Sequence, residues 1–522
     1  MKYSILLLLC LWGSITTLYA QCDTISVGVK SDGTELKAAA FSFHRYIESF
    51  TLSPDGKKLL ITSPDWDKYP KSLKNKGQFA LYDLNTMHKQ CEEKMDFPYT
   101  YVRYTRKGIL KSRFVSLSLL DTLTMKPIWK TTLSPVYIND SLGIILGYGN
   151  NQLKLKAIRM EDGKRLWEAK IGRKFGWSQI YPLAPAELLI VGDDIERLNL
   201  LTGQYTTYEA KTGIIDTKTI AGMVMLGVVA GAVGGVVGGA VSPGAPVSVP
   251  YCVPSTSAQV ISGLVSNVVQ TDSCFYMADR NRMVCLDRQM NPRWVYELPN
   301  KTASSSYLEK EGNTLHLVNT GYGIKYGNQK VKSGRAFVAG FDATTGKQLY
   351  WHYFPEKKDR VLDCIHAEDK TCMILSEGLA YRNVEDSVLN LTRWDIEKYG
   401  KLEGMIHYTV YAEDSLSDAL LPVEYDGAHY PVFTEKGRLY LVDKDLHIYK
   451  EYSQDSLYFP CVELEDYVCV YRQNDFRLIH KLGMPISSLS VGWKQGMMTD
   501  TQLILLDNQN RLLFIDKKDL LE

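Results

Sequence analysis

The sequence predicts an all-β chain whose repeated four-stranded units close into a single propeller, and three observations carry the prediction. Short apolar runs broken by turn residues recur from Phe50 onward, the pattern of buried strands joined by tight turns. One module, an apolar strand ending in Asp, a turn, then a strand bearing Trp or Tyr, recurs with its Asp position at 83, 121, 159 and 199. Those spacings, close to forty residues, match one four-stranded blade. Helical periodicity is confined to one glycine-rich segment.

Composition sets the outer limits. Across 522 residues, 60 Lys and Arg stand against 59 Asp and Glu, with 45% apolar and 23% charged residues. That balance excludes wholesale disorder, a collagen-like fibre and a coiled-coil rod. A formal charge of +1 supplies no overall basic field, so nucleic acid is not expected as a partner.

Residues 1–20 begin with one Lys, continue through an apolar run from Ile5 to Trp12 and end at Leu18-Tyr19-Ala20. The run is too short to span a bilayer, so the stretch reads as a secretory signal peptide cut after Ala20, and the mature chain as exported to the periplasm, the outer membrane or the medium. The propeller is assigned to residues 21–522. Its first unit, Phe50 to Ser63, turns at Ser53-Pro54-Asp55-Gly56, where Pro presets φ and Gly accepts a positive value. Further copies of the Asp module stand at 287, 342, 395, 443 and 516, the clearest running from Phe341 to Tyr353 through Asp342 and Gly346. Asp516 is too near Glu522 for a full outer strand. A strand near Thr24 to Val29 is therefore expected to complete the last blade and leave no open sheet edge. About eight blades are expected, within a range of seven to nine.

These copies resemble the pyrroloquinoline-quinone-like (PQQ-like) propeller repeat, whose mark is an Asp, a Thr-Gly-Lys turn and a Trp on the next strand. The SPDG turn resembles a WD40-type repeat. The match is close from Phe341 to Trp351 and from Arg159 to Trp167, where Arg159 replaces the Asp. The resemblance implies that Trp129, Trp167, Trp294 and Trp351 hold corresponding positions and pack between neighbouring blades. PQQ dehydrogenases carry adjacent cysteines beside the cofactor. This chain has no two adjacent cysteines, so no cofactor is expected.

Between the copies at 199 and 287 the chain gains an insertion, assigned to 211–257. Ile220 to Val241 contains no charged residue, and Gly227, Gly231, Gly235 and Gly239 recur every four residues. On a helix they would form one smooth ridge, suited to contact with a membrane or a second subunit. A single crossing would split the ring across the bilayer, so the expected contact is peripheral.

Nine cysteines follow residue 20. Cys364 and Cys372, like Cys461 and Cys469, are separated by eight residues around an acidic turn, and Cys274 and Cys285 bracket a similar hairpin. In an exported chain these three pairs are disulfide candidates, and no Cys/His spacing suits a metal.

No GxSxG, HExxH, GK[ST] loop or GxGxxG occurs, and GYGIKYG from Gly321 to Gly327 reads as a β-loop. The function expected is that of an exported, non-enzymatic propeller presenting its loop faces to proteins or envelope components. The alternative is a propeller whose channel binds a sugar or quinone, or a PQQ-dependent oxidoreductase.

Overall fold

A computed structural model describes residues 21–30, 32–43, 45–65, 76–97, 99–215, 260–325, 329–367, 370–383, 389–406, 409–413, 419–463, 467–472, 475–480, 485–489 and 491–521. Eight separate four-stranded sheets and one eleven-stranded sheet, which contains two more blades, make a propeller of ten. In innermost-to-outermost order, blade 1 runs from Ser49–Leu52 to Lys89–Asp96, blade 2 from Thr100–Thr105 to Pro127–Thr132, and blade 3 from Ser134–Asn139 to Arg165–Ala169. Blade 4 runs from Gln179–Ala184 to Tyr205–Tyr208, blade 5 from Val269–Gln270 to Pro292–Glu297, and blade 6 from Ser306–Glu311 to Gln348–Tyr353. Blade 7 spans Val361–Ala367 to Leu389–Arg393, blade 8 Leu402–Met405 to Ile448–Ser453, and blade 9 Leu457–Glu463 to Pro485–Leu489. Strands within a blade are called A to D from the axis outward.

Blade 10 takes Trp493–Met498, Gln502–Asp507 and Arg511–Asp516 as A, B and C, and its D strand is Glu35–Ser42 from the other end of the chain. Closure by an N-terminal strand is therefore as expected, but one strand later. The strand containing Thr24 to Val29, Gln21–Lys30, lies farther out and pairs with both Glu35–Ser42 and Pro485–Leu489, seaming blades 9 and 10 together. A hairpin of Val410–Glu413 and Leu420–Val423 adds two strands on the axial side of blade 9.

Burial explains why the sequence reads as it does. The C strand of blade 5, Arg282–Asp287, buries four consecutive residues because both its faces meet other blades, whereas the outer Pro292–Glu297 alternates with solvent. Hydrophobic clusters fill all ten gaps between neighbouring blades. One joins Leu512 and Phe514 of blade 10 to Phe50 and Ile61 of blade 1, which closes the ring.

The count of ten corrects the expected eight. Positions 83, 159, 199, 287, 342 and 516 end C strands and 121 and 443 directly follow them, in blades 1 to 6, 8 and 10. Asp395 does not: it follows the D strand of blade 7 and caps the short helix Ile396–Tyr399, accepting from Lys398 N at 3.1 Å. Blades 7 and 9 lack the module and so escaped the count. The insertion assigned to 211–257 begins inside ordered structure, since Lys211 to Ile215 belong to the rim described below. Residues 1–20 and Gly227, Gly231, Gly235 and Gly239 lie outside the described residues. No helix among the described residues is long and apolar enough to cross a membrane.

Candidate functional site

The Asp module is an inter-blade latch. Asp342 Oδ1 accepts from Thr344 N, Thr345 N and Thr345 Oγ1 at 2.7–3.0 Å, and Asp83 and Asp121 tie their turns in the same way. The turn then needs a positive φ, supplied by Gly163, Gly203 and Gly346 and, under strain, by Met87 and Met125. The indole N–H of the preceding blade donates to the carbonyl one residue past the Asp position. Trp129 donates to Met160 O, Trp167 to Leu200 O and Trp294 to Ala343 O, at 2.8–2.9 Å. Each ring also lies on the turn glycine: a Cβ on Gly163, Gly203 or Gly346 would come within 2.5–2.6 Å of it. Between blades 1 and 2 Cys91 takes the same place, its thiol 3.3 Å from Thr122 O.

Trp351 does not share this position. The C-strand partners of Trp129, Trp167 and Trp294 are Leu119, Ala157 and Cys285, each two residues before the turn position; the equivalent residue of blade 6, Gly340, pairs with Tyr350. Adjacent strand residues face opposite ways. Trp351 accordingly stacks on Phe337, centroids 3.9 Å apart, in the blade 5/6 cluster, with its indole N–H buried and without a partner among the described residues. Tyr350 instead faces blade 7, its hydroxyl 2.7 Å from His316 Nδ1 and Arg382 over its ring.

Parity also corrects the disulfides. Cys364 pairs with Met373 and Cys372 with Ile365, so the two cysteines occupy opposite faces of blade 7, one toward blade 6 and the other toward blade 8. They cannot bridge. Cys469 is opposite Val462, and Cys461 falls in a bulge between Pro460 and Val462. Cys274 and Cys285 do share a face, as diagonal neighbours, but as thiols. Burial, followed by the contact with Cys274, pushes the Cys285 thiol up to about 12.

The alternation of strand directions puts A–B and C–D turns on a lower rim and B–C and D–A connections on an upper one. The upper rim over blades 4 to 6 carries the candidate docking site, an added small sheet. Ile214–Ile215 pairs with Val260–Ile261, Ser262 exchanges backbone bonds with Ile324 at 2.9–3.0 Å, and Tyr322–Lys325 pairs with Gln329–Lys332. Tyr322–Lys325, within the GYGIKYG stretch, is thus one strand of a hairpin. Buried polar groups hold this ledge to the blades. Asn319 Nδ2 donates to Thr302 O and Arg335 O, Thr212 Oγ1 to Gly192 O, and Ser266 Oγ accepts from Ala278 N. Asp279, fully buried at its carboxylate, pairs with Arg282 at 2.7 Å and accepts from Lys211 N, while Arg280 Nη1 donates to Gly213 O. Burial is the largest single effect and opposes the Arg282 charge, but the Asp279 hydrogen bond together with the charges of Asp279, Tyr208 and Glu297 exceeds it and raises the guanidinium pKa. Sequence reasoning saw the loop glycines but not the ledge, because two-residue strands leave no periodic signal.

Perturbed groups elsewhere serve packing. Glu196, 3% exposed in the face toward blade 3, has an Oε2 with no partner among the described residues. Burial first, then Asp194 and Asp193, holds its pKa well above the usual range. The described cysteines of blades 5, 7 and 9 are buried in gaps between blades.

No protein-family profile matches the chain, and no curated protein does. Among solved structures it is similar to BamB from Moraxella catarrhalis, at 10% identity over 91% of this chain and 99% of that one, TM-score 0.31. It is also similar to a europium-containing methanol dehydrogenase, at 11% over 70% and 81%, TM-score 0.29. The C-terminal WD40 domain of Sif2 matches at 8% over 70% and 92%, TM-score 0.30. At these values the fold assignment rests on the ten four-stranded blades and their latches, which make a β-propeller.

Proposed function

We propose that the chain is an exported, non-enzymatic scaffold that holds proteins or envelope components on its loop rims, with peripheral membrane contact through the glycine-rich insertion. The ledge over blades 4 to 6 carries this reading. Rigid strands already fix its loops, so docking there needs little further ordering of the backbone, which is what favours a preformed interface. The insertion leaves at Ile215 and returns at Val260, adjacent positions in one ladder, so anything it contacts is held beside the ledge. The uncharged run from Ile220 to Val241 supports an apolar contact there.

A photo-cross-linking residue at Lys332, exposed on the ledge, and another at Lys130, exposed on the outer strand of blade 2, test the reading in native envelopes. Mass spectrometry should recover partner peptides from the first and few or none from the second. Equal recovery, or none from either, contradicts the proposal. Removal of residues 217–258 should also shift the protein from the membrane to the soluble fraction; an unchanged partition removes the membrane part.

A further inference from the structure

The ledge ends in an open strand. Ser262 exchanges both backbone bonds with Ile324 at 2.9–3.0 Å, and Ser333 N donates to Gly321 O at 2.9 Å. Alternate residues of an antiparallel ladder turn their N–H and C=O to opposite sides. Because Ile324 faces Ser262, its ladder partner Lys330, and Lys332 two residues on, turn theirs away from Tyr322–Lys325. No described strand pairs with that outer side of Gln329–Lys332, where Lys330 and Lys332 are exposed and Val331 is half-buried. An edge in this state is a template for an incoming extended chain.

Charge selects among the chains that would fit. Gly321 to Arg335 holds four Lys and Arg and no Asp or Glu. Lys330 Nζ donates to a main-chain carbonyl, Leu362 O, at 3.3 Å, and Lys332 makes no ion pair among the described residues. Arg335 donates to Phe354 O at 3.2 Å and lies over the Tyr353 ring, and Arg360 donates to Lys357 O and Asp359 O at 2.6–2.8 Å, so neither meets a carboxylate. The described acids beside them are already held. Asp359 and Glu356 pair with Arg393 at 3.2–3.3 Å, Lys358 lies 3.3 Å from Glu356 and 2.9 Å from Glu377, and Asp363 accepts from Cys364 N and, across to blade 8, from Met405 N. A second copy of this edge, or any basic strand, would set cation against cation. A lone anion would leave the open backbone groups without partners.

We propose that Gln329–Lys332 takes up an extended acidic segment of a partner protein as an added strand, with carboxylates at alternate positions opposite Lys330 and Lys332. An apolar residue between them lies beside Val331, since side chains alternate faces and match across a ladder. The proposal rests on the scaffold reading of the ledge and names the chemistry of what docks there.

Fluorescence anisotropy tests it with the mature full chain and a labelled peptide of about twelve residues that alternates Glu and Val. The same peptide N-methylated at every amide, a Lys/Val peptide and phosphatidylglycerol vesicles form separate arms. The Glu/Val peptide should bind, and N-methylation, which keeps the charge but removes the ladder donors, should weaken it at least about tenfold. Lys330→Glu with Lys332→Glu should weaken it by a similar factor. Lys332→Pro removes an outward N–H and spares the ladder to Tyr322–Lys325, so it should do the same. Unchanged melting temperatures would show that the variants fold, and the peptide arms decide the question without them. Absence of binding, equal binding of the N-methylated or the Lys/Val peptide, equal binding by the variants, or binding of vesicles alone overturns the proposal. Partner cross-links from Lys332 beside a failed peptide would leave the scaffold reading standing and remove only this inference; peptide binding without cross-links would do the reverse.

Discussion

Replacing each latch tryptophan by Phe separates the hydrogen bond from the packing, and the four tryptophans differ in a way that makes the test internal. In Trp129→Phe, Trp167→Phe and Trp294→Phe an aromatic ring stays, but Met160 O, Leu200 O and Ala343 O lose their donors. The acceptor residues are 0%, 0% and 2% exposed, so water cannot readily substitute. A buried carbonyl left unpaired costs about 1–3 kcal/mol. Trp351→Phe removes a donor that has no partner among the described residues and keeps an aromatic ring against Phe337. It should cost less than about 1 kcal/mol, as a modest change of buried volume does. Urea unfolding followed by far-ultraviolet circular dichroism would rank the four. The reasoning fails if Trp351→Phe is as costly as the others, or if Trp167→Phe is neutral.

Glu196 gives a pH-dependent counterpart. Its folded pKa lies above the unfolded value of 4.5, so the folded state holds a proton that the unfolded state releases first, and wild-type stability falls as pH rises above that value. Glu196→Gln should match wild type near pH 4 and gain on it steadily toward pH 8 in unfolding midpoint; a gap that is constant or shrinks refutes the assignment. Peptide mapping without reduction should find no Cys364–Cys372 link, because strand parity separates them; its detection would mean that blade 7 is built in another register. Gly203→Ala should destabilise by about 1 kcal/mol or more, since φ there is +72° and the new Cβ meets Trp167 at 2.5 Å. Gly33→Ala, at +83° with open space around it, should cost less.

Much of the architecture was legible because the turn chemistry repeats. Asp83, Asp121, Asp287 and Asp342 each cap a C–D turn with a side-chain oxygen, a local requirement that writes itself into sequence. Blades 7 and 9 are held by apolar faces and ladder bonds without that cap, and a sheet packed on both sides needs only apolar character, which carries no period of its own. The reading of Trp351 failed by one residue: Trp129, Trp167 and Trp294 stand three residues past the turn ends at Lys126, Lys164 and Asn291, whereas Trp351 stands four past Lys347, and a one-residue slip reverses the face. The Cys364–Cys372 pair failed for the same reason, since spacing around a hairpin fixes proximity but not parity. The ledge depends on which distant segments share a rim.

The central claim is a ring of ten blades closed by the N-terminal strands. Electron cryo-microscopy of the mature protein tests it most directly: end-on views should show ten radial sheets, with Glu35–Ser42 paired to Arg511–Asp516 and Gln21–Lys30 beyond it. Eight sheets, an open arc, or an outer strand of that sheet supplied from elsewhere would contradict it.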